Sequence, residues 1–107
     1  MARRRRNPRD EEFEDDFNLQ GEMETGVVIG DARGGGYDVA FEGRHLAHVG
    51  SMKAALIRAV ERMEKMQYWP NVFYVNDHGN VSLLAYRPAV FGGKVVAVKY
   101  KTVRSWV

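Results

Sequence analysis

The sequence predicts a small two-layer α+β domain: one amphipathic helix packed on a mainly antiparallel sheet, in the order β-β-β-α-β-β-β. Three observations lead there. Between residues 52 and 67, apolar side chains recur at spacings of three and four, the period of a helix with one buried face. On both sides of that segment, short runs either alternate apolar and polar residues or are continuously apolar, as strands do. Glycine, proline, asparagine and aspartate gather between the runs, where the chain must turn. The chain has 107 residues, of which 45% are hydrophobic, enough for one modest core.

The first strand is TGVVIG, residues 25–30. DARGGG, residues 31–36, must be a loop, because three consecutive glycines are costly to order. YDVAFE comes next, with Tyr37, Val39 and Phe41 on one face and Asp38 and Glu42 on the other. Glu42-Gly43 marks a turn, and RHLAHV returns as the next strand. Ser51 is a good helix N-cap, although Ala54 stands where a capping box would carry Glu or Gln. Met52, Ala55, Leu56, Ala59, Val60, Met63 and Met66 form the helical stripe. Pro70 ends the helix region. Residues 71–75 and 81–86 are strands, and RPAVFGG, residues 87–93, reads as a connection. The final segment, KVVAVKYKTVRSWV, is longer than an ordinary strand and is expected to bend.

Residues 1–24 read as a charged, flexible arm, and residues 25–107 as the single α+β domain. The arm holds five arginines against eight acids and sums to −3. Its apolar residues, Phe13, Phe17, Leu19 and Met23, are too few to offset the entropy of ordering it. Arg3, Arg4, Arg5 and Arg6 make a cationic tip suited to phosphates. Phe13 and Phe17 are four apart and share a face if the segment becomes helical. The body carries eleven Lys and Arg against six acids, a sum of +5, which attracts polyanions where the charges cluster.

Several classes of function find no support in these residues. Without cysteine there is no disulfide and no thiolate site. No apolar run comes after the basic N-terminus, so a secretory signal is not expected, and no stretch approaches the ~20 apolar residues of a membrane span. The expected location is intracellular, in the cytoplasm. His45 and His48 are three apart, which puts them on opposite faces of a regular strand; they can meet only if the strand bulges. No HExxH pattern is present, and neither a metal nor another cofactor is expected. In VFYVNDHGNVSLLAY, residues 72–86, turn chemistry accounts for Asn76, Asp77 and Gly79. That leaves His78 as an exposed turn residue. Ser51 or Ser82 could join His78 and an aspartate only through the fold, and no spacing predicts a triad. GDARGGGYD lacks the Lys-Ser/Thr ending of a phosphate loop, and no helix comes directly after it.

The expected function is therefore that of a small non-enzymatic binding protein that contacts DNA or RNA phosphates through a basic surface. Arg3, Arg4, Arg5, Arg6, Lys94, Lys99, Lys101 and Arg104 are its candidate contacts, with Arg44, Arg58, Arg62 and Arg87 as neighbours. On a regular strand Lys99 and Lys101 share one face, and Tyr100, Arg104 and Trp106 the other. The alternative is a protein-interaction or assembly protein, forming a homo-oligomer or binding another protein. It would use the arm and the last strand, with Phe13, Phe17, Tyr100 and Trp106 at the interface. The size, charged arm and glycine-rich loop also suit small accessory proteins of phages or mobile elements, which act in the host cytoplasm or the virion.

Overall fold

In the computed structural model, which describes residues 18–107, the elements are α1 (Leu19–Thr25), β1 (Val27–Asp31), β2 (Tyr37–Phe41), β3 (Arg44–Val49), α2 (Met52–Met66), β4 (Val72–Val75), β5 (Val81–Phe91) and β6 (Lys94–Trp106). The strands form one six-stranded sheet in the order β3-β2-β1-β4-β5-β6. Only the β1–β4 pair is parallel. The chain leaves β1, builds the β2–β3 hairpin, crosses through α2 and returns beside β1 as β4.

Helix α2 is built as its spacing requires. The Ser51 hydroxyl accepts from the Ala54 N–H at 3.1 Å, which satisfies one of the orphan donors of the first turn. Ala55, Leu56, Ala59, Val60 and Met63 are buried. They pack on Val27, Ile29, Val39, Phe41, Val72, Leu84, Val95 and Val98, contributed by every strand except β3. Gln67 closes the helix in the left-handed region, with φ of 54°.

The expectation of a single helix is overturned: two helices pack against the sheet, and the order is α-β-β-β-α-β-β-β. Helix α1 has seven residues, includes Gly21 and buries none of its side chains fully. Its own propensity cannot sustain it, since isolated helices this short are unstable in water. Tertiary bonds hold it. The Asn18 side chain caps it by accepting from the Gly21 N–H at 3.1 Å. The Asn71 side-chain amide donates to Glu22 Oε1 at 2.9 Å, and the Tyr68 hydroxyl donates to the Thr25 carbonyl at 3.0 Å. Both partners come from the segment between α2 and β4. No local pattern in residues 19–25 announces them.

RPAVFGG also departs from expectation. Residues 87–91 continue β5, and the reversal is confined to Gly92-Gly93. Pro88 is tolerated because β4 pairs with β5 only from Val81 to Leu84. Beyond that point β5 has a neighbour on one side only, an edge position that accommodates proline.

Leu56 is fully buried. Replacing it with alanine is expected to cost roughly 2–5 kcal/mol, measured as a shift in the urea midpoint at constant m-value. Arg58→Ala, on the exposed side of the same helix, should move the midpoint by no more than about 0.5 kcal/mol.

Candidate functional site

Strands β5 and β6 pair antiparallel along their whole length, and the register decides which side chains share a face. Leu83 opposes Arg104, Ala85 opposes Lys101, Arg87 opposes Lys99, Ala89 opposes Ala97 and Phe91 opposes Lys94. Directly opposed residues project to the same side. Lys94, Lys99, Lys101 and Arg104 therefore lie with Arg87 on one face. That face is turned away from α2, because Leu84, Tyr86, Val95 and Val98 belong to the core beneath α2.

A regular strand would have divided these cations. Two bulges in β6 reunite them: the register shifts between Leu83 and Leu84 and between Ala89 and Val90, which leaves Val103 and Val96 without partners. Each extra residue reverses the alternation of the strand beyond it. As a result Arg104 and Trp106 leave the side of Tyr100, where regular alternation would hold them, and join Lys99 and Lys101. Tyr100 stays on the α2 side, opposite Tyr86, and is 47% exposed. Trp106 lies with its ring centroid 6.4 Å from that of the fully buried Phe73, and the Arg104 guanidinium sits 4.7 Å from the Trp106 ring centroid. The tryptophan thus covers the apolar centre of the outer sheet face.

The charge is as segregated as the geometry. Residues 78–107 contain five Lys and Arg and no Asp or Glu. The other six cations of the body are matched by its six acids, so the entire +5 excess resides on this hairpin. Arg87, Lys94, Lys99 and Lys101 are exposed, and none of them forms an ion pair among the described residues. Arg87 faces Lys99 directly, an arrangement that disfavours folding. Arg3, Arg4, Arg5, Arg6, Phe13 and Phe17 lie outside the described residues.

A second polar cluster forms at the opposite end of the sheet. The β2–β3 pairing shifts register between Val39 and Ala40, and this bulge in β3 brings His45 and His48 to one face. His48 Nδ1 is 3.0 Å and His45 Nε2 3.3 Å from the same oxygen, Asp38 Oδ1. Gly36 makes room for His48: a Cβ there would stand 2.5 Å from the Val49 carbonyl oxygen and 3.1 Å from His48 Nε2. The last glycine of the GGG run is thus required by a close approach. Both rings address one carboxylate oxygen. Among the described residues no group of three His, Cys, Asp or Glu side chains is arranged to hold a metal ion. The hydrogen bond from His48, then that from His45, holds the Asp38 carboxyl below its ordinary 3.8.

Residues 76–80 form the turn that their composition predicts. Asn76 Oδ1 accepts from the N–H groups of His78 and Asn80 at 2.9 and 3.0 Å, and Gly79 has φ of 82°. His78 is exposed. Sequence reasoning missed the partner of this turn: Asp31 accepts from the Tyr74 hydroxyl at 2.6 Å and from the Asp77 N–H at 3.0 Å. The bond to Asp31, reinforced by burial, pushes the Tyr74 phenol well above its ordinary range. Ser51 Oγ is occupied as a cap, and Ser82 Oγ meets Ser105 Oγ at 3.5 Å.

Among the described residues no helix is long and apolar enough to cross a membrane. Comparison with known proteins gives no match: no family model, no curated protein and no solved structure is significantly similar to this chain.

The Asp38 cluster gives a signed pH prediction. A carboxyl whose folded pKa is depressed stabilises the fold above its unfolded value, and that contribution is lost as the pH falls through the lower folded value. Carbon-detected NMR titration should place Asp38 below 3.8, and His48→Ala should move it back towards that value more than His45→Ala does.

Proposed function

We propose that the protein binds nucleic-acid phosphates through the outer face of the β5–β6 hairpin, without catalysing a reaction. One observation supports this reading: the formal +5 excess of the body falls on that hairpin, with Arg87, Lys94, Lys99 and Lys101 exposed on one face and Arg87 set against Lys99. Like charges placed directly opposite oppose folding, and a polyanion lying across them removes the repulsion. The contacts supplied by Arg87, Lys94, Lys99 and Lys101 are to the backbone, so affinity varies little with sequence. The basic residues of the arm extend the same chemistry.

The test is a salt titration of binding to labelled oligonucleotides. Four phosphate contacts correspond to a slope of log K against log salt of about −3 on single strands and about −3.6 on duplex. Lys99→Ala with Lys101→Ala should weaken binding to all sequences alike and make the slope shallower by about 1.5. Affinity that is constant between low and high salt would exclude a phosphate-dominated mode.

A second reading, assembly through β6, is favoured by the position of that strand at the sheet edge. An open edge can pair with a strand of another chain. The bulges at Val96 and Val103 work against it, since they interrupt the flat run of donors and acceptors that such pairing needs. Sedimentation equilibrium at micromolar concentration separates the readings: a strictly monomeric protein ends the self-assembly reading.

A further inference from the structure

We propose that Phe91 is a base-stacking residue, and that the hairpin therefore takes single-stranded nucleic acid in preference to duplex. The proposal rests on the phosphate-binding reading above. Phe91 is 80% exposed, more than any other large apolar residue of the described chain except the terminal Val107. It sits at the Gly92-Gly93 turn and projects from the same face as the cations, with Lys94 directly opposite. Moving from the tip towards the sheet, the next pair on that face is Ala89 with Ala97, and the one after is Arg87 with Lys99. The phenyl ring and the Arg87–Lys99 pair are thus separated by about 13 Å of strand, floored by two methyl groups. A planar base can lie on this floor against the phenyl, with its flanking phosphates at Lys94 on one side and at Arg87 and Lys99 on the other.

Charge and shape together select the occupant. A second copy of this chain docking through the same face would bring Lys94, Lys99 and Arg87 against their own counterparts, which is repulsive. A duplex satisfies the cations, but its base faces are already stacked on one another, and the phenyl could reach them only by kinking the helix. An unpaired base offers both of its faces, and stacking on an aromatic side chain tolerates any base.

The experiment uses the full chain and fluorescence anisotropy, with an oligo-dT of about 20 nucleotides and a duplex of equal length, each long enough to cover the hairpin. Wild type should bind the single strand more tightly. Phe91→Ala and Phe91→Leu should each weaken that binding roughly 5- to 150-fold, and Phe91→Tyr should stay within about threefold of wild type. The salt slope should be the same in all four proteins, because no phosphate contact is removed. Leucine matching phenylalanine would overturn stacking, since an apolar contact would then suffice. So would equal losses on single strand and duplex, or a Phe91→Ala loss seen on phosphatidylserine vesicles and not on the oligonucleotide. Salt-dependent binding that is indifferent to residue 91 would overturn stacking and leave the phosphate reading standing. Absence of salt-dependent binding by wild type would overturn both.

Discussion

The architecture depends on the phase of side-chain alternation in β6. This strand has two duties. Val95 and Val98 must enter the core beneath α2, and the charged residues around them must stay out of it. With thirteen residues and strict alternation, the strand could not do both, because Lys94 and Arg104 have the opposite parity to Lys99 and Lys101. The two bulges resolve the conflict. Each inserts one residue, resets the phase and bends the strand. With the phase reset, Val95 and Val98 reach the core beneath the helix while the cations turn away from it. The Tyr86 hydroxyl, donating to the Pro70 carbonyl at 3.2 Å, anchors the middle of the hairpin to the segment between α2 and β4.

The outer face of the sheet is consequently divided. At its centre Phe73 is buried beneath Trp106, which carries Arg104 on its ring. Towards β6 the face is cationic and free of acids. Towards β3 it bears Asp38 between two histidines. The two edges of that face therefore differ in charge. Small residues, Ala85, Ala89 and Ala97, lie between the cations along the hairpin.

How much of this was legible varies by element. Helix α2 was plain, because seven apolar residues on one stripe and a serine cap specify it locally. The turn at residues 76–80 was plain for the same reason. Helix α1 was not, since its support comes from Asn71 and Tyr68, more than forty residues away. The continuation of β5 through Pro88 was hidden because proline is acceptable in a strand only where the neighbouring edge is open, and that depends on where β4 stops. The meeting of His45 and His48 required a bulge, which their spacing named as a condition and could not establish.

By itself the sequence determined the period of α2, the turns at residues 42–43 and 76–80, and the amount of charge. These depend on residues within a few positions of one another, where sterics and hydrogen-bonding capacity act directly. The tertiary structure decided which charges stand together. Strand register, bulges and edges are set by pairing with a neighbour, and a single added residue moves everything after it to the other face. The five cations were visible as a composition; their gathering on one side of one hairpin, with Phe91 at its end, came from the fit of β6 to both β5 and α2.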